Sequence, residues 1–290
     1  EIFSGDWSSD VCSSDLLETR YNEIKGIPLA FKFNKAVALS RVNEAMLARV
    51  NECQPSFDSV QESLKECGVL LAEADDLLYV HKNKAASKKM EQLQKNLEES
   101  EKAAQEVNRV LDEILEQESE QRTQINVLKE RFRSIKKMFA ENRSAYHQSD
   151  EYIEKRMDAI EKKFSLFEEW MFASEFDKAH EQQEEIARDV RELGDQLHAL
   201  PNLYEQARGV LPKAIDEIGL RYAQTRNKGV YLDHLEVQKN LDIISDQLKE
   251  CIAKLRTGIV TDVKENLNAM GERLLNLQDL ITREDEAYSE

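Results

Sequence analysis

The absence of glycine and proline from the middle of the chain constrains its fold more than any other feature. No residue of either type occurs between Gly68 and Gly194. Strands of β-rich domains are joined by tight turns that depend on Gly, Asn-Gly or Asp-Gly. A stretch this long without such residues predicts helices, and we expect an all-α protein.

Apolar residues recur at alternating spacings of three and four, which is typical of a seam between packed helices. Cys53, Cys67 and Cys251 fall on such stripes, so we interpret them as small buried apolar groups. Short links between the helices predict antiparallel neighbours. The expected architecture is an elongated all-α chain of antiparallel helical bundles, related to coiled coils. One stripe comprises Met46, Val50, Cys53, Phe57, Val60, Leu64, Cys67, Leu71, Ala74 and Leu78.

Helix starts are expected near Asn83, Asp177 and Asp262. This spacing suits three-helix units in which one long helix is shared with the next unit. We therefore divide the chain into an N-terminal helical segment (17–82), a first repeat (83–175), a second repeat (176–260) and the start of a truncated repeat (261–290).

Local breaks are predicted from polar runs and prolines. The long helix should extend from about Lys84 to Tyr146, with a solvated or bent turn at 116–124, where the sequence is polar on all sides. Pro55 should kink its helix or mark the start of one, and Pro201 should introduce a new helix. The segment 224–230 is expected to be a loop.

The first sixteen residues differ from the rest of the chain. They read EIFSGDWSSDVCSSDL, which is rich in serine and lacks helical periodicity. The part from Gly5 to Leu16 resembles an in-frame translation of a sequencing-library adapter, so residues 1–16 are predicted to be a non-native tail. We leave Trp7 and Cys12 out of the fold prediction, and the missing initiator Met suggests a gene fragment.

The charge of the chain excludes some classes of function. Its 57 acidic and 40 basic side chains give a net charge of −17. Nucleic-acid binding and anionic-membrane binding both need clustered positive charge, so neither is expected as the main activity. The scattered cysteines indicate a reducing compartment. The longest apolar run, Ile27–Phe33, is interrupted by Lys32 and falls far short of the ~20 residues of a membrane helix.

Residues that could carry chemistry are sparse. His180 and Glu184, in the sequence HEQQE, approach the zinc-protease pattern, but its second histidine is replaced by Glu184. The sequence has no glycine-rich phosphate loop, and acidic pairs such as Glu168/Glu169 fall on wet helix faces. We predict no catalytic, cofactor-binding or metal-binding residue and no enzymatic activity. An enzyme would need a cluster formed between helices far apart in sequence.

Two groups of basic residues could dock an acidic peptide or a lipid head group, although ordinary solvated faces would show the same pattern. The first comprises Lys82, Lys84, Lys88 and Lys89; the second comprises Lys129, Arg131, Arg133, Lys136 and Lys137.

Two stretches resemble the EzrA family, the septation ring formation regulators of low-GC Gram-positive bacteria. Leu17–Met46 reads LETRYNEIKGIPLAFKFNKAVALSRVNEAM and looks like the stretch that follows the family's N-terminal membrane anchor. The second stretch begins LPNLYEQARGVLPKAIDEIGLRYAQTRNKGVYLDHLEVQ at Leu200. Its Pro212, Gly229, Tyr231 and Leu232 match the family's proline and its following loop. The resemblance covers nearly all of the chain after residue 16.

The resemblance implies a chain of spectrin-like triple-helical repeats and a cytoplasmic scaffold at the division septum. Such proteins bind the tubulin-like division protein FtsZ and other division proteins, and they restrain misplaced ring assembly. It also implies membrane attachment through an N-terminal helix that this chain lacks, no nucleic-acid partner and no cofactor. An unrelated coiled-coil scaffold of the filament or chromosome-structure type is the main alternative, and a curved membrane-binding helical module is another.

Overall fold

The computed structural model describes the backbone of residues 4–290 and the side chains from Cys12 onward. This part of the chain is helical almost throughout and contains no strand, which confirms the all-α prediction. The helices are α1 (Ser4–Lys25), α2 (Leu29–Ser40), α3 (Glu44–Tyr79), α4 (Asn83–Glu141), α5 (Asp150–Phe172), α6 (Phe176–Glu205), α7 (Leu211–Asn227), α8 (Val237–Arg256) and α9 (Thr261–Ser289).

The described residues divide into two compact units. Unit 1 comprises Glu1–Gln124 and Phe167–His180, and unit 2 comprises Ile125–Leu166 and Glu181–Glu290. Helices begin at Asn83, Phe176 and Thr261, close to the starts expected from the sequence. The division into repeats remains a prediction.

Unit 1 is built on three helical arms, each antiparallel to the next one along the chain. Helices α1 and α2 follow one another along α3, and both pack against it. The hydroxyl of Ser14 donates to Asp75 at 2.6 Å, while the rings of Phe33 and Phe57 stack 4.3 Å apart. Residue 14 is thus opposite residue 75, and residue 33 is opposite residue 57. The numbering rises along the first arm while it falls along α3, so these two arms are antiparallel. The third arm is the first part of α4, where Ser100 Oγ lies 2.5 Å from that of Ser63.

The seam of unit 1 follows the spacing expected from the sequence. Val50, Cys67, Leu71, Leu93 and Leu97 are all buried. Burial of such side chains contributes about 25 cal/mol for each Å² of apolar surface removed from water. The amphipathic pattern therefore positions the helices, and the side chains between seams remain available to solvent.

The first part of unit 2 joins the last turns of α4 with α5 and α6. Lys136 Nζ lies 2.5 Å from Glu161 on α5, and Lys163 of α5 lies 2.7 Å from Glu185 on α6. Both pairs fit antiparallel neighbours. The Ile153, Ile160, Ile186, Leu193 and Leu197 side chains are fully buried between them.

The second part of unit 2 is a triple-helical bundle of α7, α8 and α9, which pack against one another pairwise. Arg273 of α9 donates to Gln247 of α8 at 3.1 Å, and His234, just before α8, lies 3.1 Å from Glu284 near the end of α9. Helix α8 is therefore antiparallel to α9. Antiparallel triple-helical packing agrees with the spectrin-like fold that the resemblance implies.

Four of the predicted breaks were wrong, and the fourth, at Pro201, lies in α6. Helix α4 continues without interruption through 116–124, and it ends at Glu141 and not near Tyr146. A 3₁₀ segment, Arg143–Ser149, follows it. Helix α7 extends to Asn227 and so includes half of the expected loop. The polar run in α4 is compatible with a helix because its inward-facing groups have tertiary partners: Glu118 pairs with Lys35, and Gln121 donates to the carbonyl of Phe176.

Pro201 lies inside α6, although the sequence suggested that it would start a new helix. Proline has no N–H, so the carbonyl four residues earlier loses its helical partner. That carbonyl belongs to Leu197, and the hydroxyl of Tyr146 donates to it at 2.7 Å. The tyrosine replaces the missing backbone donor. Pro55 likewise lies within α3.

Candidate functional site

The near-match to a zinc-protease motif does not form a metal site in the described chain. His180 and Glu184 both lie on the exposed side of α6, while the intervening Gln182 and Gln183 are buried. No group of three or more His, Cys, Asp or Glu side chains in this region, or elsewhere in the described residues, is placed to hold a metal ion. The inward face of the motif is formed by amides.

The acidic pairs singled out in the sequence contribute to ion pairs between helices. Glu168 lies 2.6 Å from Arg122 Nη1, and Glu185 lies 2.7 Å from Lys163 Nζ. Each of these carboxylates is held by a cation of a neighbouring helix, so these groups serve packing between helices.

Three cysteines are shielded in the way that the stripes predicted. Cys53, Cys67 and Cys251 are buried, and burial raises the pKa of each thiol above its ordinary value. Fewer thiolates and restricted access both slow attack by electrophiles. Cys12 is exposed and free.

Thiol titration of the native chain should therefore count one fast-reacting cysteine. We expect Ellman's reagent at mildly alkaline pH to modify Cys12 rapidly, and the three buried thiols only after unfolding in concentrated guanidinium. A Cys12→Ser variant is the control and should lose the fast phase alone. Rapid modification of two or more thiols in that variant would contradict the buried assignment.

A polar cluster occupies the part of unit 1 where a bent turn was expected. Glu118 is only 5% exposed, and its carboxylate lies 3.0 Å from Lys35 Nζ and 3.4 Å from Arg122 Nε. Gln121 is also buried and donates to the backbone carbonyl of Phe176 at 2.8 Å. Since a buried polar group is costly unless it is hydrogen-bonded, this cluster favours one register of α4.

The basic group at Lys129–Lys137 is largely neutralised by neighbouring carboxylates. Arg133 pairs with Glu130, Lys136 with Glu161 and Lys137 with Glu141. Such pairs on a helix surface each contribute little to stability, but they remove the local excess of positive charge. The second basic group is therefore a solvated face. The first group differs, because Lys82, Lys84 and Lys88 are exposed and have no ion-pair partner among the described residues.

Unit 2 has a partly apolar groove between α7 and α8, which we call the α7–α8 groove. Its volume is about 340 Å³. Ala207 is buried at its base, while Ile215 and Ile252 are half-buried. It is lined by Ala207, Arg208, Pro212, Ile215, Asp216, Ser245, Leu248, Lys249 and Ile252.

An interrupted helix produces this groove. Gln206–Val210 adopts the wider π-helical form between α6 and α7, and Pro212 follows at the start of α7. A π-helical segment displaces the side chains that follow it, and such segments are frequent at functional sites. Here Ala207 is buried while Arg208, Gly209 and Val210 are exposed. Sequence periodicity does not detect this feature, because a single π-helical turn is too short to interrupt the spacing of four that runs through Leu203, Ala207, Leu211 and Ile215.

Two cations flank the apolar floor of the α7–α8 groove. Arg208 and Lys249 are exposed, and neither forms an ion pair with another described residue. One carboxylate, that of Asp216, is also at the rim. Because many other basic side chains of this acidic chain are paired, two unpaired cations beside an apolar groove favour a segment that combines apolar and acidic side chains.

The described residues include no helix that is both long enough and apolar enough to cross a membrane.

Comparison with known proteins gives one consistent result. The family model of the septation ring formation regulator EzrA matches residues 13–290. The chain is 20% identical over 162 residues to the septation ring formation regulator EzrA of Geobacillus sp. (strain WCH70), covering 56% of this chain and 29% of that protein. The segment that we predicted to be non-native comprises residues 1–16. The family match begins at residue 13, so the last four residues of that segment fall inside it.

Two further relatives carry the same description. The protein of Bacillus subtilis is 23% identical over 159 residues, covering 52% of this chain and 28% of its own length. That of Staphylococcus epidermidis is 21% identical over 276 residues, covering 94% of this chain and 48% of its own. The chain thus spans between about a quarter and a half of the relatives it matches. No solved structure gives a significant match.

Proposed function

Because this chain belongs to the EzrA family of septation ring formation regulators, we propose that it is the non-enzymatic scaffold portion of a membrane-associated regulator that binds FtsZ and other division proteins. The family match over residues 13–290 is the observation that carries the proposal. A role in cell division follows from the family. The direct partner and the location, at the cytoplasmic face of the membrane where the septum forms, are our inference.

The mechanism that we propose is binding by helix faces held on a packed scaffold. The seams of units 1 and 2 bury the apolar stripes, and the remaining faces are available for partners. Filaments present many copies of the same surface, so several weak contacts along one filament would combine into strong binding. A scaffold of this kind restrains assembly sterically and needs no catalytic residue.

We place the contact with FtsZ at the α7–α8 groove. A linear segment with an apolar side chain could insert it between Ile215 and Ile252, with its acidic side chains beside Arg208 and Lys249. Burying the apolar side chain supplies affinity, and the two cations select against basic segments.

Co-sedimentation with FtsZ polymers tests both parts of the proposal. We expect the purified chain to pellet with FtsZ in the presence of GTP and to stay in the supernatant without it. Arg208→Glu/Lys249→Glu should lower the pelleted fraction at least about fivefold, since two favourable pairs become like-charge contacts. Lys162→Glu/Lys264→Glu introduces the same change in charge at exposed, unpaired positions of unit 2 and should pellet as the unmodified chain does.

The possible outcomes test FtsZ as the partner separately from the α7–α8 groove as the contact surface. Absence of GTP-dependent pelleting would contradict FtsZ binding by this part of the protein. Normal pelleting of Arg208→Glu/Lys249→Glu would retain FtsZ as a partner and would remove the α7–α8 groove as the contact surface. Equal losses in both double variants would indicate an effect of overall charge alone.

A further inference from the structure

The turn that joins α3 to α4 exposes apolar side chains at one end of unit 1. We call residues 79–89 the α3–α4 tip. Tyr79 is 87% exposed and Val80 is 55% exposed. Helix α3 ends at Tyr79 and α4 begins at Asn83, so both side chains are at the end of a helical hairpin. An aromatic side chain exposed to this extent is not enclosed by a groove of its own chain.

The same tip concentrates positive charge on a strongly acidic chain. Residues 77–90 contain four lysines and no carboxylate. Lys89 pairs with Glu73 at 2.9 Å. The other three, Lys82, Lys84 and Lys88, are exposed and have no ion-pair partner among the described residues.

The acidic side chains described near the tip on α3 and α4 do not pair with its exposed lysines. Asp75 and Asp76 precede it on α3, and Glu91 follows it on α4. Asp75 accepts a hydrogen bond from Ser14 of α1 at 2.6 Å. None of the three lies within ion-pair distance of an exposed lysine of the tip, so three cations remain unpaired beside Tyr79 and Val80.

The position of the lysines is unfavourable for α4 itself. A helix N-terminus carries partial positive charge, so acidic residues stabilise its first turn and basic residues destabilise it. Helices α3, α5, α6 and α9 follow this rule with Glu44, Asp150, Asp177 and Asp262. Helices α2, α4, α7 and α8 have no acidic residue there, and Lys82 and Lys84 flank the start of α4. The lysines of the tip therefore do not stabilise the first turn of α4.

We propose that the α3–α4 tip contacts an anionic lipid surface. The phenol of Tyr79 would lie at the level of the head groups with Val80 beside it. Lys82, Lys84 and Lys88 would reach lipid phosphates and carboxylates. A planar bilayer suits a protruding end, whereas an acidic peptide would need a groove to bury its backbone. The inference goes beyond the proposed contact with FtsZ and does not depend on it.

Only charges close to the membrane surface contribute strongly to binding, because salt screens charges that lie farther than about 8–10 Å from it. The net charge of −17 therefore opposes binding less than it would without screening. Affinity for anionic vesicles should be modest, and it should fall as ionic strength rises.

Vesicle flotation with the full chain tests the proposal. We expect binding to vesicles of phosphatidylcholine that contain phosphatidylserine, and none to phosphatidylcholine alone. Lys84→Gln/Lys88→Gln should lower the partition coefficient roughly 10- to 30-fold, since each lysine near the surface contributes about fivefold. Tyr79→Ser should lower it by about threefold or more. Lys95→Gln/Lys102→Gln removes the same charge from exposed, unpaired positions of α4 and should leave the coefficient within about twofold.

Three results would overturn the inference. The first is no binding of the unmodified chain to phosphatidylserine vesicles. The second is an equal loss in the Lys95→Gln/Lys102→Gln control, because the tip would then have no special role. The third is tip-dependent binding of soluble polyglutamate with no flotation, which would assign the tip to an acidic protein. Circular dichroism of each variant shows whether a loss reflects unfolding.

Discussion

Replacement of Gly258 by alanine is expected to destabilise the chain by roughly 3–5 kcal/mol, the largest effect of any single methyl group added to the structure. Gly258 follows the end of α8 with φ of +80°, in the left-handed region that side chains disfavour. An added Cβ would lie 2.2 Å from Cε1 and 2.4 Å from Cζ of Tyr152. Neither atom is the flexible end of a side chain, so the ring or the backbone must move.

The movement would disturb a buried polar contact as well. Gln196 Nε2 lies 2.9 Å from the hydroxyl of Tyr152 and donates to the carbonyl of Gly258 at 3.0 Å. The strained φ contributes about 1–2 kcal/mol of the expected loss. The clash with the ring and the weakened hydrogen bonds contribute the rest.

Gly209→Ala is the matched control, because nothing lies within 4 Å of the Cβ that it would add. It should change stability by less than about 1 kcal/mol, with a gain in helix propensity. Urea unfolding followed by circular dichroism measures both variants, with each transition fitted separately since two units need not unfold together. A loss below about 1 kcal/mol for Gly258→Ala would contradict the close contact with Tyr152.

Tyr146→Phe is expected to cost about 2–3 kcal/mol because it removes the donor that compensates for Pro201. Tyr146 is 2% exposed, and burial raises the pKa of its phenol, which keeps the hydroxyl protonated and able to donate. Without it, the carbonyl of Leu197 would be a buried acceptor with neither helix nor side chain to satisfy it. The ring and its contact with Phe139 would remain.

A double-mutant cycle with Pro201→Ala isolates this compensation. In Pro201→Ala the backbone N–H of residue 201 can donate to the carbonyl of Leu197, so Tyr146→Phe should then cost less than about 1 kcal/mol. The cost of Tyr146→Phe in the chain that retains Pro201 minus its cost in the Pro201→Ala background gives a coupling free energy of about 1–2 kcal/mol. The effect of proline on the unfolded chain cancels in this difference, because both members of each comparison have the same residue at 201. The same cost in both backgrounds would show that the hydroxyl does not compensate for the proline.

The helices and their buried faces could be predicted from sequence because each seam is a local pattern. Cys53, Cys67 and Cys251 occupy seam positions at spacings of three and four, and all three are buried. The links before Asn83 and Phe176 were also near their predicted places. In each case the residues that determine the helix or its buried face are within a few turns of one another in the sequence.

The errors arose where a distant residue determines the local structure. Glu118 and Gln121 interrupt an apolar stripe, which suggested a bend, but α4 remains helical because Glu118 pairs with Lys35 and Gln121 donates to the carbonyl of Phe176. Pro201 suggested a helix start, and Tyr146 allows the helix to continue. The α7–α8 groove depends on a π-helical segment that leaves no periodic signal. Sequence spacing alone does not specify these partners.

The discontinuity of unit 1 determines when it can finish folding during synthesis. Its residues 1–124 leave the ribosome first, yet Phe167–His180 completes the unit only after 125–166 have been made. At about 5–20 residues per second, that interval is on the order of several seconds. Until then, Gln121 lacks the carbonyl of Phe176, and Arg122 lacks Glu168. A nascent chain stalled before residue 167 should therefore expose this part of α4 to chaperones and proteases.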